Sequence, residues 1–381
     1  MDKCENLYNK KSKIIDKIIK YFYDRIQKGE NVLTNVKAKI EITNEISCLS
    51  GYWVPTNISE FTSKNKANIF KITGTINGKN ITLYFYAYDF IDKDTIILYS
   101  NYVFLLIYFI TNVKTTCSKN IEINIYLTPF TKLLPENKKI LGPNEVNTGY
   151  SNYGCLDYTE ITIYRKEEWF KVLIHELFHV MGLDFSSIHS DMYTSKLREE
   201  LNVDSEYLVF ETYCEFWATI INTLFYTYFV LYSLSDLDEI GFEDFYTINK
   251  VNLNIETTFS LIQVNKILSH MHLEYQQLWS DKIQHKSLRK MLYKENTNVL
   301  AYYIFKTALL VNKEQIFEWI YKHNINLLNF KETPDNIKMF CDEIIRLSKK
   351  PSTINTIKYG EHVLKKILKK NLKTELMNKI L

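Results

Sequence analysis

Glycine and proline are scarce, with 10 and 6 residues in a chain of 381. So few turn-formers exclude a turn-punctuated all-β sandwich and leave no material for long flexible linkers. A charge excess is also missing, since 47 Lys and Arg stand against 44 Asp and Glu for a net charge of +3 at pH 7. Dedicated nucleic-acid binders carry a clustered basic surplus, so nucleic acid is not an expected partner. The N-terminal run Met1-Asp2-Lys3-Cys4-Glu5-Asn6 has no apolar signal-peptide core. Six cysteines, at 4, 48, 117, 155, 214 and 341, show neither metal-knuckle nor redox spacing and read as reduced thiols. The expected location is accordingly intracellular and cytoplasmic.

What the chain has is apolar bulk. Hydrophobic residues make up 46% and charged residues 24%, with 28 Tyr and 22 Phe. These are globular proportions, enough to bury a sizeable core. Two uncharged stretches, 95–113 and 216–235, approach the length of a membrane span. Both are broken by Asn, Ser and Thr and are rich in Tyr, so they read as buried core helices and a membrane is not an expected partner.

Residues 1 to about 50 read as helical, on Ile14, Ile15, Ile18, Ile19 and Phe22. Around Asn77-Gly78, the β-prone runs Ile72–Ile76 and Ile81–Tyr86 predict a hairpin. A long helix is expected over 95–113, then strands over 121–127 and 160–164, with a loop between that holds Pro129, Pro135, Pro143 and Gly149. From 167 onward, the segments 167–182, 206–234, 255–279, 286–310, 313–328, 336–348 and 353–371 carry helical apolar spacing. The lysines Lys365, Lys366, Lys369, Lys370 and Lys373 read as the solvated face of the last helix. The fold class is α+β with an all-α C-terminal region, divided as 1–65, 66–235 and 236–381.

One motif carries chemistry: His175-Glu176-Leu177-Phe178-His179, an H-E-x-x-H. Residues four apart share a helix face, so both imidazoles can reach one metal ion while Glu176 projects beside them as a general base. Gly182 offers the helix a stop. Zinc requires a further protein ligand and keeps its fourth position open. Two sources compete. The pattern H-E-x-x-H-x-x-G-x-x-H is followed as far as Gly182 and then meets Phe185, leaving Asp184, one residue early, or His189 as ligand. The other source is Glu211-Thr212-Tyr213-Cys214-Glu215, two acids four apart at the start of an apolar helix. Carboxylates there are costly to bury unless paired or metal-bound.

This ensemble resembles the zincin metallopeptidases, specifically the gluzincin branch, in which a later helix supplies E-x-x-x-[DE]. The resemblance implies a small mixed sheet, a backing helix, an H-E-x-x-H helix and an edge strand along the cleft, with helix 95–113 and strands 121–127 and 160–164 in those places. It implies one zinc ion per chain held by His175, His179 and Glu211, with Glu215 orienting His175. Glu215 or Asp184 as the third ligand is the alternative. It further implies hydrolysis of peptide bonds in a protein or peptide substrate, with Glu176 as catalytic base and a Tyr or His as oxyanion donor, drawn from Tyr193, Tyr207, His189, Tyr302 and Tyr303. A catalytically silent zincin-like or helical interaction protein is the rival reading. His270, His272, His285, His323 and His362 read as ordinary histidines. Nothing in the sequence sets the oligomeric state or the role of the C-terminal half.

Overall fold

Alternation of apolar and polar residues builds a six-stranded sheet in the order β1-β2-β3-β4-β6-β5. Its strands are β1 (Lys39–Ile46), β2 (Lys66–Ile76), β3 (Lys79–Ala87), β4 (Asn120–Leu127), β5 (Gly149–Ser151) and β6 (Tyr158–Ile163). The structure, a computed structural model, describes residues 13–33, 39–111, 117–135, 140–152, 154–189, 193–234 and 241–368. β1, β2 and β3 run antiparallel, with the hairpin turning at Asn77-Gly78, both at positive φ. β3, β4 and β6 are parallel, and β5 pairs antiparallel with β6 at the sheet's end. The parallel strands β4 and β6 are buried over most of their length, as expected of a sheet covered on both faces. Ile81, Leu83, Ile121, Ile123, Ile161 and Ile163 lie in the main core. On the other face Tyr126 and Tyr164 pack with Leu49, Val54 and Ile58.

Around the sheet lie α1 (Lys13–Leu33), α2 (Thr56–Lys64), α3 (Lys93–Ile110), a turn of helix α4 (Pro143–Val146) and α5 (Trp169–Val180). Then come α6 (Ser195–Leu201), α7 (Val209–Leu234), α8 (Phe242–His270), α9 (Tyr275–Leu278) and α10 (Ile283–Leu292). A π-helical turn over Leu300–Phe305 runs into α11 (Lys306–Val311), followed by α12 (Lys313–His323), α13 (Pro334–Lys349) and α14 (Pro351–Leu368). By length and composition α3 could cross a membrane, but half of it is buried in this fold. Its Val103, Phe104, Leu106 and Ile107 lie in the core. One hydrophobic cluster runs from Ile18 to Ile357 and so crosses the boundaries drawn at 65 and 235.

Several sequence expectations are corrected. Residues 39–46 form a strand, not helix, because Ile40, Ile42 and Ile46 recur at even spacing and β2 offers an edge. Segment 255–279 starts earlier, at Phe242, and breaks after His270, while 286–310 is interrupted between Leu292 and Leu300. The sheet ends at β5, inside the segment read as loop, so strand 158–163 is internal. Cys117 and Cys155 form a disulfide and are not reduced thiols. The cause is register: Asn120 of β4 sits beside Tyr158 of β6, and each cysteine lies three residues before its strand's partner. The cysteine argument for a reducing compartment therefore loses its force. Cys48, Cys214 and Cys341 are free thiols, and Cys4 lies outside the described residues. Lys365 pairs with Glu361 at the surface. The side chains of Lys366, Lys369, Lys370 and Lys373 lie outside the described ones.

Candidate metal centre

Helix α5 begins at Glu168, which sits in the left-handed region at φ 59°, a conformation a non-glycine residue adopts only when its surroundings hold it there. Buried ion pairs do so: Glu168 Oε2 lies 2.7 Å from Lys132 Nζ and 3.7 Å from Lys171 Nζ. Burial alone would raise this carboxyl, but the two lysines hold it down at about 2. The helix ends as its sequence predicts. Gly182 takes φ 61°, its N–H donates to His179 O, and Leu183 N–H donates to Phe178 O, the paired bonds of a Schellman cap. That turn brings Asp184 back against the helix it has just left.

The motif histidines meet Glu211 of α7. His175 Nε2 is 2.9 Å from Glu211 Oε2, His179 Nε2 is 3.5 Å from the same oxygen, and the two Nε2 atoms are 3.1 Å apart. Ligands about 2.0–2.1 Å from a tetrahedral zinc ion lie roughly 3.3 Å from one another, so this donor triangle fits such an ion. Each ring is backed by a carboxylate at its other nitrogen. Asp184 Oδ2 is 2.6 Å from His179 Nδ1, and Glu215 Oε2 is 3.3 Å from His175 Nδ1, near but poorly aligned for a hydrogen bond. A proton at Nδ1 turns each Nε2 lone pair toward the common point.

Asp184 therefore supports His179 from behind, and the pattern position of Phe185 is core, its ring 4.3 Å from that of Phe330. A second group, His179 with Asp184 and Cys214, also has metal-ligand atoms within reach of one another. In that group, however, His179 Nδ1 is already taken up by Asp184 Oδ2 at 2.6 Å, and its Nε2 is turned toward His175 and Glu211. The geometry of the donors favours His175, His179 and Glu211.

Glu176 lines a cavity of about 770 Å³ beside the triangle. Ser151 of β5 donates to its Oε2 at 2.6 Å. Glycine at 149 permits this approach: a Cβ there would stand 2.8 Å from Thr162 O and 3.0 Å from Val172 of α5. Arg165, fully buried, donates to the carbonyls of Thr131, Asn144 and Asn147 and pins the chain leading into β5. The C-terminal region supplies part of the wall, through Glu295, Asn296, Thr297, Asn298 and Tyr302. Glu295 ties that wall down by accepting from Ser205 Oγ, Tyr293 OH and Leu300 N–H, and burial pushes its carboxyl up to about 7.

Of the tyrosines and histidine named for the oxyanion, Tyr302 lines this cavity, its ring 5.6 Å from that of His175. It rides on the π-helical turn, a conformation that recurs at functional sites. Tyr303 faces the buried lysines instead. The Tyr207 hydroxyl is taken up by the backbone of Val203. Tyr193 lies under Lys338 and packs on the core, and His189 is exposed. Sequence reasoning missed Tyr52, Trp53, Ser151, 295–298, Lys132 and Lys306. It also missed Lys171, although its place four residues before His175 on one helix face was a usable signal.

For the metal-free protein the electrostatics have a measurable consequence. Burial would lower His175, but contacts with Glu211 and Glu215 raise it to about 9. His179 rises well above its ordinary value despite burial, through Cys214, Asp184 and Glu211. A histidine raised on folding contributes stability that is complete below its unfolded value of 6.5 and is lost as pH climbs through about 9. Metal binding needs those nitrogens deprotonated. In chelator, the unfolding temperature is therefore expected to fall between pH 6.5 and 9, while zinc affinity, measured by chelator competition, rises over the same interval.

Comparison with protein-family models, with curated proteins and with solved structures returns no significant match.

Proposed function

We propose that this chain is a zinc-dependent metallopeptidase of gluzincin type. The observation that carries the reading is the convergence of His175, His179 and Glu211 beside Glu176 in one large cavity. Zinc, when bound by those ligands, supplies a Lewis acid that polarises a carbonyl and acidifies water. The end strand β5 supports the zincin likeness, because it runs antiparallel to its neighbour beside the motif helix and contributes Gly149, Tyr150 and Ser151 to the cavity. An extended peptide can pair with such an edge.

Glu176 acts as general base. Ser151 anchors one carboxylate oxygen, leaving the other to take the proton of the attacking water and deliver it to the departing amine. Tyr302 donates its hydroxyl proton in a hydrogen bond to the oxyanion that develops on the substrate carbonyl. Tyr302→Phe is expected to lower kcat by about 10²–10³ with little change in KM, as read from steady-state kinetics on a fluorogenic peptide.

Beyond the residues given to the metal and the base, the cavity lining carries the carboxylates of Glu206 and of Asp204, which pairs with Lys294 at 3.1 Å, and among the described residues no Lys or Arg. Exposed Tyr52 and Trp53 add aromatic faces, which suit a cation. A peptide library incubated with zinc-loaded protein is expected to be cut beside Lys or Arg at least about tenfold faster than beside Glu, the preference shrinking in high salt. Zinc bound at one per chain with no peptide cut would favour the silent reading, and no zinc at all would remove the metal reading.

A further inference from the structure

We infer that Lys171 and Lys306 are positioning residues for the metal centre, and that the C-terminal helical region reaches that centre through Lys306. The inference rests on the metal-binding half of the function proposed above.

The two oxygens of Glu215 have separate partners. Oε1 accepts from Lys171 Nζ at 2.7 Å and has Lys306 Nζ 3.6 Å away. Oε2 lies 3.3 Å from His175 Nδ1. A terminal carboxylate has a broad, soft torsion of its own. An ammonium held on one oxygen restrains that torsion and presents the other oxygen to the imidazole. Lys171 is held in turn by Glu168, which Lys132 grips at 2.7 Å. The sequence of contacts Lys132–Glu168–Lys171–Glu215 changes sign at each step and ends on a motif histidine, and Lys306 reaches Glu215 as well.

All of these side chains are at most 10% exposed. At low dielectric, ionic contacts of this kind hold geometry firmly and are damaging to break from one side. The participants come from the loop after β4, from α5, from α7 and from α11, so the aim of His175 depends on the docking of four separate segments.

The test measures zinc dissociation constants by competition with a chromogenic chelator, together with visible spectra of the Co²⁺-loaded full chain. The variants are Lys171→Met, Lys171→Arg, Lys306→Met, Glu215→Gln and the double variant Lys171→Met/Glu215→Gln. Lys171→Met is expected to weaken zinc about tenfold, within the 10–100-fold range for partners behind metal ligands, and Lys306→Met somewhat less. The double variant is expected to bind as Glu215→Gln does alone, because the lysine acts through that carboxylate. The Co²⁺ bands are expected to shift in Lys171→Met and to return in Lys171→Arg.

Independent, multiplying effects of Lys171→Met and Glu215→Gln would overturn the inference. So would a folded Lys171→Met with wild-type zinc affinity and spectrum. Circular dichroism of each variant separates loss of fold from loss of aim, and should Lys171→Met fail to fold, Lys306→Met is judged by the same criteria against Glu215→Gln. A wild-type protein that takes no zinc would remove the metal reading and this inference together. Zinc-loaded wild type with multiplying variants would remove this inference alone.

Discussion

Glu176→Gln is expected to keep one zinc ion per chain and lose peptide hydrolysis by about 10²–10⁴-fold, the contribution typical of a positioned general base. The substitution preserves shape and keeps an oxygen for the Ser151 hydroxyl, which now donates to Glu176 Oε2 at 2.6 Å. What it removes is the basic oxygen. Glu176 does not belong to the donor triangle of His175, His179 and Glu211, so that triangle is untouched. Metal content by mass spectrometry, beside turnover of a fluorogenic peptide, reads both halves of the expectation. Loss of zinc in this variant would make Glu176 a ligand and remove its role as base. Full activity would move the base elsewhere.

The second large effect is expected at Glu211. Its Oε2 is shared between His175 and His179, at 2.9 and 3.5 Å. Burial would raise this carboxyl, but the two histidines hold it well below the ordinary carboxylate range. Glu211→Ala is expected to abolish stoichiometric zinc binding. In chelator it is also expected to destabilise the metal-free protein by about 3–5 kcal/mol, the cost of stranding one side of a buried ionic contact. Chemical denaturation at pH 6, below the raised values of both histidines, measures that loss. Glu215→Gln and Asp184→Asn stand behind the rings and are expected to retain zinc at about 10–100-fold lower affinity. Retention of zinc in Glu211→Ala, with loss in Glu215→Gln or Asp184→Asn, would transfer the ligand role.

The elements with a strong local rhythm were legible without coordinates. The hairpin at Asn77-Gly78, helix α3, strand β4 and the motif helix all lie close to where the residue pattern puts them. Each depends on interactions within a few residues: side-chain periodicity, a left-handed turn, a capping glycine. The convergence of His175, His179 and Glu211 was legible for the same reason. His175 and His179 are one helical turn apart, as are Glu211 and Glu215, so only the meeting of two helix faces had to be supplied. β1 was misread because its residues, mostly exposed, follow a helix in sequence and gain strand character only by pairing with β2. β5 was misread because three residues hold no readable alternation, and its pairing depends on glycine at 149 fitting against β6 and α5.

By itself, then, the sequence determined the α+β class, the helix carrying His175, Glu176 and His179, and the pair of acids available to complete it, because residues three and four apart on a helix need no distant partner to share a face. Only the tertiary structure decided that Glu211 faces both Nε2 atoms while Asp184 and Glu215 back the rings, that Cys117 meets Cys155, and that the C-terminal region contributes Tyr302 to the cavity wall and Lys306 to the charges behind His175. Asp184 and His179 are five positions apart, across the capping turn, but the other pairings join residues tens to over a hundred positions apart. The packing of α5, α7 and the π-helical turn on one continuous core sets them, and no local pattern records it.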